Sequence, residues 1–395
     1  MREDRLLMNI LFYFGNQINP CRGGTERVAY LIADFLKRRG HQVYYMACTP
    51  AEGDESVASV FLPTGGEGAD RENMGFVLSF IQQKHIEVIV NEGGSSEAVY
   101  LFSHEHIPEH VRIVTHLHFD VLGDNKNFYK SLCLPLCHVP LLQAMRNGLK
   151  WVKAPYNKWR ALRNKRDRYR YMWRNSDKVV LLSEYYRDDF LQLIQQPDNG
   201  KVVAFANPLT YTEVGTGGVE KQNSVIYVGR LDFPQKRVDR VLQVWSRLER
   251  SHPDWQLTVV GDGADKPRLL AMAQRLKLQR VSFAGHVNPL SYYQRAKILL
   301  LTSNFEGTPM VIHEAMAHGV VPVVMGTFAG VHDMIQHQVD GMITRPFDID
   351  HMVQMVERLM DDNALCENMS HAAMLRIQRH DNASIFEAWE KLIRE

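Results

Sequence analysis

The residues best suited to do chemistry are Arg230 and Lys236, in VIYVGRLDFPQKRVDRVL, and Glu306 and Glu314, in NFEGTPMVIHEAMAHGVVPVVM. Two fixed cations in one loop can converge on a diphosphate and stabilise the negative charge that develops as it departs. A carboxylate beside phosphate would repel it, so Glu306 and Glu314 are better placed to accept hydrogen bonds from hydroxyls of a sugar or ribose. The surrounding elements say how they are held. The apolar run ILLLTS ends just before Asn304, Gly307 permits a tight turn, Thr308 is a good N-cap and Pro309 suits a first helical position. This predicts a helix from Pro309 to about His318, stopped at Gly319. Its first-turn N–H groups and positive dipole end, around Gly307, Thr308, Pro309 and Met310, form an anion site at the C-terminal edge of a parallel sheet.

Other motifs carry less. Gly23-Gly24-Thr25-Glu26 follows the first apolar run and opens a helix, where glycines either let backbone N–H groups reach a phosphate or form a plain tight turn. RIVTHLHFD ends a strand on His116 and His118, which fit a core, a loop or a site. Val260-Gly261-Asp262-Gly263 begins like a dinucleotide fingerprint, but Lys266 stands where the third glycine belongs. Asp348-Ile349-Asp350 has the form of a metal-binding carboxylate pair; it precedes a helical stretch, so Asp348 is expected to cap that helix. Cys133, Cys137 and His138 lie close together, yet no second cluster completes four zinc ligands, and they read as ordinary thiols and an imidazole.

The chain has 395 residues, longer than one hydrophobic core usually grows, which predicts two domains. A hydrophobic content of 45%, 23% charged residues and a net charge of +1 describe an ordinary globular protein and name no partner. The five cysteines (Cys21, Cys48, Cys133, Cys137, Cys366) are too few and scattered for a disulfide framework, which fits a reducing cytoplasm. The opening MREDRLLMNILFYFGNQ reads as a first strand and not as a signal peptide, and no apolar run is long enough to span a bilayer. Short apolar runs alternating with amphipathic stretches argue βαβ units: MNILFYF, QVYYMAC, EVIVN, RIVTHLH and KVVLLS, then SVIYVGRL, WQLTVVGDG, RVSFAGHV, AKILLLTS and GVVPVVMG. Between the two series the pattern lapses from Tyr211 to Asn223. The expected division is 1–207, a linker at 208–223, 224–375, and a closing helical segment at 376–395.

One segment breaks this rhythm. Arg146 to Arg174 holds eleven Lys or Arg against the single acid Asp167, interleaved with Trp151, Tyr156, Trp159, Tyr169, Tyr171 and Trp173. A solvated helical face is the ordinary reading of such a run; a helix lying on an anionic membrane is the alternative. Nucleic acid fits least and is not expected as a partner.

Glu306, seven intervening residues, Glu314 and AMAHGVVPVV resemble the signature of the retaining glycosyltransferase family four, which has the GT-B fold. The resemblance covers nearly all of the second half, including Gly229-Arg230-Leu231, Lys236 and VVGDG, and the first half in patches such as VVLLSEYYRDDF and Asn207-Pro208. It implies an α/β architecture of two Rossmann-like domains facing across a cleft, the first taking the acceptor and the second the nucleotide sugar, with the C-terminal helix crossing back to the first. By it Arg230 and Lys236 contact the nucleotide diphosphate, Glu306 the transferred sugar and Glu314 the ribose, while Gly23 and Gly24 approach the donor from the other domain. His118 is preferred over His116 as the active-site histidine. The implied activity is retaining transfer of a hexose from a nucleotide diphosphate sugar, UDP favoured, to a saccharide that is lipid-linked and belongs to a bacterial envelope polysaccharide such as lipopolysaccharide, O-antigen or capsule. No cofactor or metal is expected, and the expected location is cytoplasmic, peripheral on the inner membrane face through 146–174. Phe328-Ala329-Gly330-Val331-His332-Asp333 departs from the family's Gly-Gly-x-x-Glu, which leaves donor contacts there open. The competing readings are a glycoside phosphorylase of the same fold, a nicotinamide-dependent oxidoreductase and a non-catalytic sugar-binding protein.

Overall fold

The structure is a computed structural model that describes residues 7–21, 23–51, 56–132, 141–210, 214–215 and 217–395. Cys133, Cys137 and His138 lie outside the described residues, as does part of the expected linker. The chain divides into two compact units, one made of Met1–Val121, Leu162–Thr210 and Asp381–Glu395, the other of Leu122–Ala161 and Tyr211–His380.

The first unit holds seven strands: β1 (Asn9–Asn16), β2 (Gln42–Thr49), β3 (Val60–Phe61), β4 (Val88–Asn91), β5 (Arg112–His116), β6 (Lys178–Leu181) and β7 (Val202–Ala204). They pair in the order β3-β2-β1-β4-β5-β6-β7, every ladder parallel. Strands buried on both faces read as unbroken apolar runs, which is why ILFY and VIV lack alternation. The helix Gly24–Arg38 buries Val28, Ala29, Ile32, Ala33 and Leu36, the spacing of one helical face. The C-terminal helix Asn382–Arg394 packs on this unit: Phe386 stacks on Phe35 at 4.9 Å, Trp389 meets His116 edge-on at 5.1 Å, and Glu390 pairs with Arg39 at 2.9 Å.

The second unit holds β8 (Ser224–Val228), β9 (Gln256–Val260), β10 (Val281–Gly285), β11 (Ile298–Leu301), β12 (Val321–Met325) and β13 (Met342–Thr344), in the order β10-β9-β8-β11-β12-β13 and again all parallel. The helix Val238–Leu248 sets Val241, Leu242, Trp245 and Leu248 against Val225, Tyr227, Leu257 and Val259 in one core. Grouping Leu122–Ala161 with this unit departs from a first domain running unbroken through 207. The cause is local bonding: Asn127 Nδ2 donates to the carbonyls of Asn304 and Thr327 at 2.6 and 3.1 Å, and Arg237 donates to the Lys130 carbonyl at 3.1 Å.

Both sheets reverse their winding once, between β1 and β4 in the first unit and between β8 and β11 in the second. In open parallel sheets ligands bind outside the carboxyl ends of the strands at such a reversal. Gly23, Gly24 and Glu92 follow β1 and β4; Arg230 and Glu306 follow β8 and β11.

Candidate functional site

Arg230 and Lys236 sit in the loop after β8, and Asp232 is the hub that shapes that loop. Its Oδ2 accepts from Arg230 Nε at 2.7 Å, and its Oδ1 accepts from the backbone N–H of Gln235 and Lys236 at 2.9 and 3.1 Å. Burial pushes the Asp232 carboxyl up, but these bonds outweigh it and hold the group below the usual range. One carboxylate thereby fixes the start of both cationic side chains. Lys236 Nζ reaches across to Glu306 Oε1 at 2.7 Å, with side chains 18% and 5% exposed. Ser303 Oγ donates to the same oxygen at 2.6 Å, whereas Glu306 Oε2 has, among the described residues, Gln235 Nε2 at 3.4 Å, which leaves it with further acceptor capacity. Arg230 is 65% exposed, so its guanidinium reaches solvent at the mouth of the loop.

The helix after the Glu306 turn runs Met310–Ala317, with Pro309 as its N-cap at φ −67°, ψ 111°. That corrects the expected start by one residue. Pro309 has an extended ψ, so Thr308 does not cap the helix, and the Pro309 carbonyl accepts from Ile312 N–H at 3.1 Å. Glu314, in the second turn, is buried, and its Oε2 accepts from Tyr293 O–H at 2.9 Å. Asn304 ties the elements together, accepting from Arg240 at 2.8 Å and donating to the Pro234 carbonyl at 2.8 Å. Asp348 caps the helix Ile349–Asp361 through the His351 N–H, which accounts for the Asp-x-Asp string.

The glycines of VGDG serve packing. A Cβ on Gly261, at φ +139°, would overlap the Gly229 carbonyl, and one on Gly263 would lie 2.8 Å from Leu231 N. They allow the loop after β9 to press on Gly229-Arg230-Leu231, so no dinucleotide is needed to explain them.

In the first unit Gly23 N-caps the helix Gly24–Arg38 with φ −162°, a value open to any residue. A Cβ there meets nothing within 4 Å, so nothing in the described chain demands glycine, and its smallness leaves the backbone open to a ligand. His118 and His116 are both buried and share one partner that sequence reading missed. Glu92 Oε2 lies 2.6 Å from His118 Nε2 and 2.8 Å from His116 Nδ1. Register aligns Asn91 with Thr115, which brings Glu92 beside His116, and a Cβ on Gly94 would fall 2.5 Å from the His116 carbonyl oxygen. The only sequence signal was an acid followed by two glycines at a strand end.

His118 Nδ1 is buried and has no hydrogen-bond partner among the described residues. Burial lowers the His116 pKa, helped by His118, and Glu92 offsets this only in part. Burial alone would raise Glu92, but the charges and hydrogen bonds of His116 and His118 bring it down to about 2. These three side chains bring three atoms of metal-ligand type within 4.8 Å of one another. The observed 2.6 and 2.8 Å are hydrogen-bond spacings.

A pH dependence follows. A carboxyl whose folded pKa of about 2 lies below its unfolded 4.5 stabilises the fold above pH 4.5, and that stabilisation is lost as pH falls toward 2. Glu92→Gln is therefore expected to cost about 2–3 kcal/mol at neutral pH and to flatten the acid limb of the unfolding temperature. Thermal melts of both proteins across that range check it; parallel acid limbs would refute the shared-carboxylate reading.

Two family models match, Glycosyltransferase Family 4 over residues 22–208 and Glycosyl transferases group 1 over 215–376. An uncharacterized glycosyltransferase of Haemophilus influenzae is 29% identical over 55% of this chain and 61% of its own length. The lipopolysaccharide 1,6-galactosyltransferase of Salmonella typhimurium is 34% identical over 36% of this chain and 40% of its own. The chain thus spans under two thirds of the curated relatives it matches. Anabaena HepE, solved in complex with UDP-glucose, superposes with a TM-score of 0.70 over 98% of this chain and 99% of its own at 16% identity. With two parallel sheets that each reverse once, and with both halves matched by the family's models, the chain belongs to glycosyltransferase family four and has the GT-B fold.

Proposed function

We propose that the protein is a retaining hexosyltransferase that takes a sugar from a nucleotide diphosphate donor, UDP favoured, and passes it to a lipid-linked saccharide of a bacterial envelope polysaccharide. The observation that carries this is the ion pair of half-buried Lys236 with buried Glu306, in the same loop cluster as Arg230 at the winding reversal of the second sheet. There the two cations and the amino end of Met310–Ala317 meet the diphosphate, Glu306 Oε2 grips a sugar hydroxyl, and Glu314 serves the ribose. In the first unit, Gly23 and Gly24 offer backbone N–H groups to a phosphate of the donor, and His118 is the active-site histidine. The departing phosphate oxygen takes the acceptor hydroxyl's proton as the new glycosidic bond forms on the face the leaving group vacates, so configuration is retained and no side chain acts as nucleophile. Arg230 and Lys236 supply the charge that a metal would otherwise supply. A lipopolysaccharide galactosyltransferase among the relatives and a UDP-glucose complex among the structural neighbours support the choice of acceptor and donor. No described helix is long and apolar enough to cross a membrane, and the proposed location is the cytoplasm, at the inner membrane face.

A thermal-shift screen of nucleotide diphosphates and their sugars tests the donor half. A ligand at a hundred times its Kd stabilises by about 2.7 kcal/mol, which raises the unfolding temperature of a unit this size by about 5–10 °C. UDP and a UDP-hexose are expected to give this shift, unchanged by a chelator. No response to any nucleotide diphosphate, or a response abolished by chelation, would overturn the donor assignment.

A further inference from the structure

The helix Leu141–Asn175 carries a feature that sugar transfer does not use. Leu141, Met145, Leu149, Val152, Tyr156 and Trp159 recur at spacings of three and four, and all are exposed, Leu141 and Val152 by 78% each. Asn147 and Ala154, 6% and 1% exposed, mark the inward side of the same stretch, about half a turn away from the stripe. An amphipathic helix normally turns its apolar side inward; here a second apolar side faces out. The same helix exposes the cations Arg146, Lys153 and Arg160 to one side of the stripe, Arg163 on it and Lys150 farther round, and the helix has one acid, Asp167.

We propose that this stripe docks on an anionic lipid surface, with the apolar side chains at the headgroup boundary and the flanking cations on the headgroups. Charge decides among the occupants. Pairing two copies through the stripe would bring cation against cation, and a nucleic acid would take the cations but leave Leu149 and Val152 in water. A surface of anionic headgroups over acyl chains satisfies both sides at once. The docking deepens the lipid-linked half of the proposed function, and its test needs no turnover.

The full chain is sedimented with phosphatidylcholine vesicles lacking or containing phosphatidylglycerol. Partitioning is expected to rise at least about tenfold with phosphatidylglycerol and to fall steeply with added salt. Leu149→Asp with Val152→Asp, and separately Lys150→Glu with Lys153→Glu, are each expected to reduce binding about tenfold or more. All four positions are exposed, so unfolding temperatures should match wild type, and the charge reversal tests the surface with the apolar stripe intact. Vesicle binding should blue-shift indole emission, and Trp159→Phe should remove most of that shift. Wild-type protein that ignores phosphatidylglycerol vesicles, variants that bind as wild type, tighter binding to duplex DNA than to vesicles, or a lipid-free dimer dissolved by the aspartate pair would each overturn the proposal. Loss of vesicle binding with an intact nucleotide thermal shift separates this surface from the donor site.

Discussion

Lys236→Ala is expected to lower kcat for sugar transfer by about a hundredfold or more, and Arg230→Ala to do the same, because in the proposed reaction each removes a fixed positive charge from the place where the diphosphate gains negative charge. The two variants should differ in everything else. Lys236 is the ion-pair partner of Glu306 at 2.7 Å, and its loss leaves a buried carboxylate held by Ser303 and, at 3.4 Å, Gln235. A stability cost of about 1–3 kcal/mol should accompany the lost rate. Arg230 is 65% exposed, and Asp232 keeps its backbone bonds to Gln235 and Lys236 without it, so the fold of Arg230→Ala should melt as wild type. Lys236→Arg should recover stability better than rate, since a planar guanidinium cannot occupy an ammonium's position between a carboxylate and a phosphate. Steady-state kinetics with a nucleotide hexose, read beside thermal melts, check all three. Near wild-type turnover in both alanine variants would remove the cations from the reaction.

The parts legible in the sequence are those fixed by local rules. Buried parallel strands announce themselves as apolar runs, and so do the residues that end them: β8 runs into Gly229-Arg230, and β11 into the turn that carries Glu306. The edge strands β3, β7 and β13 were not legible, because two or three residues cannot show periodicity and gain their order from a neighbouring strand. Pro309 was placed inside the helix on propensity, but the turn needs an extended ψ there. The partners of the site residues were invisible for a different reason. Asp232, Ser303, Tyr293 and Glu92 each bond a predicted site residue; two of them sit close in sequence to that residue, yet only the pairing of distant strands determines where their side chains meet. Glu92 and His118 lie on loops following adjacent strands, and their shared network exists only once β4 and β5 are in register.

Gly261→Ala is expected to be among the most disruptive single substitutions outside the core, at about 3–5 kcal/mol, because two costs combine. The new methyl overlaps the Gly229 carbonyl oxygen and lies 2.9 Å from its carbon, and backbone atoms cannot swing aside as a side chain could. The residue also sits at φ +139°, which an L side chain rarely adopts. Relief requires the Gly229 strand end to move, and that strand end is laced to its neighbour by Gly229 N–H to the Val260 carbonyl at 3.0 Å and Leu231 N–H to the Asp262 carbonyl at 2.9 Å, while Gly261 itself is held on its other side by its N–H to the Gly285 carbonyl at 2.8 Å. Arg230 lies between the first two of these bonds. Whatever fraction of Gly261→Ala remains folded should therefore bind a nucleotide diphosphate more weakly, although no atom of Gly261 is assigned a contact with it. The control is Asp262→Ala, whose carboxylate is 47% exposed and faces Lys266, and which should leave both stability and the nucleotide-induced thermal shift near wild type. Melts of the two variants with and without UDP decide the matter: equal behaviour would mean that the glycines of VGDG do not position Arg230 and that their service lies elsewhere.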